Sequence, residues 1–352
     1  MELFGERIEA GELRRRVGRL EQVAGVRLVT LGDGGERGLR VLEFRTGAGF
    51  EFELLVDRCM DVGRCALHGR SLAWESPTGH LPPERYEPEG NGWLRSFGAG
   101  LMTTGGLDHI GGAEEGSGLH GRASSLPARL CGYGTRTDAD GGLTLWAEGE
   151  IVQTAVFGER LVLRRRVEAR VGERSLRISD TVANEGYAPA EQMLLYHVNA
   201  GWPLLDAGAE LLVPARSVRA LHAGGATDGY TTMLAPQPGW SEQVFEHDNA
   251  AEADGRVPVA LVNRARGFGL YELYRRDQFP YHWTWRMLGE STYVLGIEPA
   301  TDTADGRAAA RERGELTVLA PGEARDYELE LGALDGAQEI DAFAARVAAL
   351  TG

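Results

Sequence analysis

Leu143–Asn184, LTLWAEGEIVQTAVFGERLVLRRRVEARVGERSLRISDTVAN, alternates apolar and polar residues through three runs separated by turn residues. In the middle run Leu161, Leu163, Arg165, Val167 and Ala169 share one side of a strand, and Val162, Arg164, Arg166, Glu168 and Arg170 share the other. Successive strand side chains point to opposite faces, so one face here is mainly apolar and the other solvated, the pattern of a half-buried antiparallel sheet. Arg165 is the exception on the apolar side, and the strand pattern alone does not account for it. Val26 to Asp57 reads the same way, as three short β runs joined by Gly-rich turns. Similar runs return in VPVALVN, GFGLYELY, YHWTWRM, STYVLGIEP, GELTVLA and ARDYELELG. Only Ala337 to Leu350 has helical spacing, with Ile340, Phe343, Val347 and Leu350 on one side. The sequence therefore predicts an all-β fold, one large antiparallel β-sandwich domain over residues 1–352. A peripheral N-terminal segment (1–25) and a short C-terminal helix complete it.

Composition narrows the functions. The 352 residues are long enough to bury a sizeable core, with 43% hydrophobic and 25% charged residues. A net charge of -15 argues against nucleic acid or an anionic membrane as partner, since both require a basic surface. Every one of the 37 basic residues is arginine. Without lysine there is no Schiff base, no pyridoxal phosphate anchor and no Walker lysine. No apolar run approaches the roughly 18 residues of a membrane helix, and the N-terminus has no apolar secretory core, so a cytoplasmic location is expected. Cys59, Cys65 and Cys131 are too few for a disulfide framework, which agrees with a reducing compartment.

Polar residues that interrupt apolar strands mark the candidate site. In EQMLLYHVNAGWPLL, Glu191 to Leu205, a period of two puts Met193, Leu195, His197 and Asn199 on one face and Gln192, Leu194, Tyr196 and Val198 on the other. Gly201 and Pro203 then break the strand, so His197 and Asn199 lie near its end, where a pocket can open. The competing reading is a core histidine satisfied by a backbone carbonyl. In GLHGR, Gly118 to Arg122, His120 stands between glycines and near Arg122, whose guanidinium suits an oxygen-rich ligand; a plain surface turn is the alternative. In STYVLGIEPAT, Glu298 shares a face with Val294 and Gly296, and a carboxylate closing an apolar strand is either a solvated end or a general base in a pocket. Weaker candidates are the aromatic row Tyr281, Trp283 and Trp285 in FPYHWTW as a stacking surface or, more often, core, His282 on the opposite face of that strand, Arg58 and Asp61 in DRCMDVGRC, and His109 in GLDHIGG. The loop from Trp74 to Arg95 is Pro- and Gly-rich and long enough to serve as a wall or lid. No HxH, HExxH, CxxC or GxSxG is present, and the GSGLHG match of residues 116–121 lacks a following helix.

DRCMDVG, GLHGR, LLYHVNAGWPLL and GIEPAT, in that order from Asp57 to Thr301, resemble the aldose 1-epimerase (galactose mutarotase) superfamily, and most closely its uncharacterised aldose-epimerase-like branch. The resemblance implies a large β-sandwich and an isomerase that opens and recloses an aldose ring at the anomeric carbon. It further implies that Glu298 takes the proton of the anomeric hydroxyl, that His197 protonates the ring oxygen, and that His120 holds the sugar or shares the acid role. No cofactor and no metal is expected, and the expected partner is a small sugar, with a homodimer allowed. GIEPAT departs from the better-known mutarotases at Pro299, HVNAGWPLL replaces their NHTYFNL-like stretch, and no counterpart of their further substrate-binding aspartate stands out. Two other functions remain open: a non-catalytic carbohydrate-binding or sensing protein, and a metal-assisted sugar isomerase or lyase.

Overall fold

The three runs of Leu143–Asn184 form strands Leu143–Thr154, Arg160–Arg170 and Ser175–Asn184, paired antiparallel in that order. The computed structural model describes residues 1–114, 116–221 and 225–351. In it these strands belong to an eight-stranded sheet that begins at Arg129–Thr137 and continues past them through Ala324–Asp335, Phe268–Arg275, Arg256–Asn263 and Glu210–Leu212. The larger sheet runs from Ala215–Ala220 through Gln243–Asn249, Tyr281–Leu288, Tyr293–Ala300, Ala190–Ala200 and Met102–Leu107 to Asp61–Leu67. The meander of Phe50–Leu55, Arg40–Arg45 and Gly25–Thr30 completes it. One hydrophobic cluster draws on both sheets, including Leu161, Leu163, Val167 and Ala169 from one and Leu194, Tyr196, Val198, Leu295 and Ile297 from the other. That is the β-sandwich the alternation predicted. Residues 1–25 pack Leu3, Ile8, Ala10 and Leu13 onto the same cluster.

Arg165 is explained by its neighbours across the sandwich. Fully buried, it donates to Asp180 at 2.6 Å, to Asp61 Oδ1 at 3.1 Å and to the Cys59 carbonyl at 3.0 Å. Tyr196 donates its hydroxyl to Asp180 at 2.7 Å, and the Thr104 backbone N–H donates to Asp61 at 3.1 Å. A buried guanidinium persists only when paired and hydrogen-bonded, and both sheets supply the partners. A second cross-sheet pair joins His282 Nε2 to Glu272 Oε1 at 2.8 Å, with the Tyr274 ring stacked on the imidazole.

Strand Ala190–Ala200 turns one side to this interior and the other outward. Leu194, Tyr196 and Val198 enter the main core, whereas Met193 and Leu195 join Ile110, Trp283, Ala300 and Ala310 in a separate outer cluster. The candidate site lies on that outer face. The C-terminal helix, Ala337–Ala348, buries Ile340, Phe343 and Val347 against the outer face of the smaller sheet, as its spacing predicts. A short helix at Arg307–Arg313 has no apolar stripe to announce it; it buries only Ala310 and covers the Trp283 end of the outer cluster.

Candidate active site

Antiparallel register lines up one residue from each of six neighbouring strands. Arg219 pairs with Glu246, Glu246 with Trp283, Trp283 with Glu298, and His197 with Thr103. The pairings Val198 with Ile297 and Asn199 with Gly296 set Glu298 opposite His197, and the two side chains meet at 3.3 Å between Oε1 and Nε2. Directly opposed residues share a face of the sheet, so the row Arg219, Glu246, Trp283, Glu298, His197, Thr103 runs across the outer surface. Gly296 is required here. A Cβ at that position would lie 2.2 Å from Glu298 Oε1, so the missing side chain is the space the carboxyl group occupies.

Loops close the site from above. His120 adopts φ 55°, donates its N–H to the Gly111 carbonyl at 2.9 Å and accepts from Gly106 N–H at 2.9 Å. Beside it, a Cβ on Gly121 would stand 2.5 Å from the Gly106 carbonyl and 2.6 Å from that of His109, so only glycine lets the loop sit this close to the sheet. The His120 ring lies 5.6 Å from that of His197 at 84°. The Trp74 to Arg95 loop and the residues after it supply the aromatic wall: Trp93 stacks on Phe97 at 4.1 Å, Trp93 faces His120 at 5.0 Å, and Phe97 meets His197 at 5.4 Å. Trp285 adds the opposite side, edge-on to His197 at 5.6 Å and to Trp74 at 6.3 Å.

This apolar enclosure disfavours charge on every titratable group in it. Burial, reinforced by the Glu242 carboxylate, pushes the Glu298 carboxyl up to about 8. Burial takes His197 down to about 4, against a partly offsetting contact with Asn199. His120 is driven well below its ordinary range by burial and by the neighbouring His197. Glu298 and His197 therefore hold one proton between them near neutrality, and burial favours the carboxyl group as its resting place. Glu298 Oε1 makes no hydrogen bond to the protein among the described residues, which leaves a buried oxygen available to a ligand.

The other sequence candidates divide. Asn199 is buried beside His197 and donates its amide to the Gly100 carbonyl at 3.2 Å and the His197 carbonyl at 2.8 Å, which fixes the strand end. Trp283 is in the row, flanking Glu298. Arg58, Asp61 and His282 do not reach the outer face. Asp61 is a partner of Arg165 in the core, and His282 faces inward to Glu272 because it alternates with Trp283 and Trp285. Arg58 donates from its two terminal guanidinium nitrogens, Nη1 and Nη2, to the Leu81 and Ser96 carbonyls, anchoring the loop that carries Trp93 and Phe97. Arg122 turns away to the Thr154 carbonyl at 3.0 Å, and His109 is tied to the Gly112 carbonyl at 2.8 Å and to Glu114. Sequence reading missed Trp93, Phe97 and Glu242, all three of which lie outside strands where no period marks them, whereas Trp285 belongs to the aromatic row it picked out in FPYHWTW. A groove of about 1010 Å³ lies elsewhere, beside His68, Tyr271 and Phe343, and none of the candidate residues lines it. Among the described residues no three His, Cys, Asp or Glu side chains converge as a metal ion requires, and no helix is long and apolar enough to cross a membrane.

A family model described as a domain of unknown function, DUF4432, matches residues 36–333. The chain belongs to that family. This DUF4432 protein superposes on a candidate aldose 1-epimerase from Klebsiella pneumoniae with a TM-score of 0.86 at 23% identity, covering 93% of this chain and 88% of that one. It also matches a galactose mutarotase-like protein from Clostridium acetobutylicum (TM-score 0.63, 12% identity, 88% and 98% covered). A galactose 1-epimerase from Lactobacillus acidophilus gives a TM-score of 0.59 at 13% identity, with 89% and 99% covered. At these identities the likeness is one of fold, and it agrees with the resemblance read from the four motifs. No curated protein matches the DUF4432 chain by sequence.

Proposed function

We propose that the protein is a carbohydrate mutarotase, interconverting the anomers of an aldose or modified aldose by acid-base ring opening. The observation that carries this reading is the Glu298–His197 pair, its carboxyl oxygen and imidazole nitrogen 3.3 Å apart on adjacent strands inside an aromatic-walled enclosure. Ring opening needs one group to take the proton of the anomeric hydroxyl while another gives a proton to the ring oxygen. Glu298 takes the first role and His197 the second. The carboxyl proton passes the short distance to the imidazole as the hydroxyl binds. The C1–O5 bond then breaks, the anomeric oxygen becomes a carbonyl, and the ring oxygen leaves as a hydroxyl. Rotation about C1–C2 and reclosure on the other face return both protons, so the pair ends as it began. His120, 5.6 Å from His197 between ring centres, orients the sugar.

The test is exchange NMR or polarimetry on a panel of freshly dissolved anomers. Glu298→Gln and His197→Asn are each expected to slow equilibration by at least about 10²-fold, the usual contribution of a positioned acid or base. If both variants equilibrate every anomer as fast as the parent, the reading fails. Sugar-dependent thermal stabilisation of a parent protein that exchanges no anomer would identify a carbohydrate-binding protein instead.

A further inference from the structure

Trp285 has a partner that the row of opposed residues does not predict. Its indole Nε1–H donates to Glu242 Oε2 at 2.9 Å, and Glu242 comes from the segment just before strand Gln243–Asn249 rather than from the row itself. The ring is only partly buried, stands edge-on to His197 at 72° and to Trp74 at 70°, and is directly opposite Gly296, the position whose missing side chain houses the Glu298 carboxyl group. With its only hydrogen-bond donor engaged, this indole meets a ligand as a π surface alone.

We propose that Glu242 is a positioning residue that locks Trp285 as the stacking wall of the pocket, so that the site selects sugars by an uninterrupted C–H face on the ring. The proposal rests on the anomer-exchange reading. An indole face carries negative charge density and attracts the weakly positive C–H groups of a pyranose, while hydroxyls directed at it lose their water without a partner. An unanchored tryptophan at a pocket mouth would have to give up side-chain freedom on each binding event; the Glu242 hydrogen bond removes that cost beforehand. The same carboxylate adds to the burial that holds Glu298 protonated.

Steady-state exchange kinetics with D-glucose and D-galactose separate these effects. Trp285→Phe and Glu242→Ala should each raise KM by about 10-fold, the equivalent of one lost stacking contact, with kcat reduced far less. Glu242→Gln keeps an oxygen for the indole N–H and should raise KM less than Glu242→Ala does. It should nevertheless shift the alkaline limb of the rate profile downward, because the charge that adds to burial in raising the Glu298 carboxyl is gone. A Glu242→Ala or Trp285→Phe enzyme with the parent's KM overturns the proposal, as does an unmoved alkaline limb in Glu242→Gln. If the parent exchanges no anomers, the mutarotase reading falls on its own, and the wall is then tested by thermal stabilisation with the same two sugars. Stabilisation of the parent that is lost in Trp285→Phe and in Glu242→Ala supports the wall; equal stabilisation in all three, or none in the parent, overturns it.

Discussion

Gly296→Ala tests the site without touching an ionisable group. The added Cβ would lie 2.2 Å from Glu298 Oε1 and 3.1 Å from the Trp285 Cβ, whereas ordinary contact begins near 3.4 Å. The carboxyl oxygen must therefore move by roughly 1.2 Å, and a misplacement of about 1 Å at a reacting group costs on the order of 10²-fold in rate. The backbone has no reason to yield: Gly296 sits in a paired strand, outside the positive φ range that favours glycine, and what obstructs the methyl most is the far end of a long side chain. The expected result is a folded protein with a thermal midpoint near the parent's and kcat for anomer exchange lowered about 100-fold. Gly11→Ala, whose Cβ meets nothing within 4 Å, is the control and should keep the parent's rate. A Gly296→Ala protein that is folded and exchanges anomers within about threefold of the parent would refute the placement of Glu298 as the reacting base.

Further outcomes follow from the same geometry. The kcat profile should be bell-shaped, falling as pH drops through about 4, where His197 gains a second proton for the pair, and as it rises through about 8, where Glu298 loses the last one. Because the folded Glu298 carboxyl binds its proton more tightly than the unfolded one at 4.5, its contribution to stability is fully present below 4.5 and is lost as pH rises toward about 8. Glu298→Gln should remove that decline and stabilise the fold at pH 7 by about 3 kcal/mol in chemical denaturation, while abolishing exchange. Arg165→Met leaves Asp180 and Asp61 buried without their cation and should destabilise the protein by about 3–5 kcal/mol, read from the urea midpoint.

The architecture was legible because period-two alternation is a local property, and so was the strand-end placement of His197 and Glu298. What alternation does not reveal is which face of a strand looks inward. His282 and Trp283 are neighbours in sequence and necessarily point to opposite faces, so one pocket on the sheet could never hold both; the structure gives the outer face to Trp283 and pairs His282 with Glu272 inside. Arg165 was unaccountable for a related reason, since its partners come from other strands, Asp180 one strand over and Asp61 from the opposite sheet. Trp93, Phe97 and Glu242 sit outside the strands, where position is set by long-range packing and by anchors such as Arg58, and no local pattern reports it. The glycines of GLHGR and GIEPAT were the better signal. Gly296 marks a place where a side chain would collide with Glu298, and Gly121 one where it would push the His120 loop off the Gly106 and His109 carbonyls beneath it.

The row from Arg219 to Thr103 makes the sheet an addressable grid. Neighbouring columns are about 4.8 Å apart across the strands, and same-face positions repeat about every 6.6 Å along them, so a functional group can be relocated only in those steps. An inserted residue upstream in any one of the six strands would flip that strand's contribution to the other face and leave the remaining five unchanged. New specificities on this scaffold are therefore reached by substitution within a column, one strand at a time, and length changes are confined to the loops above.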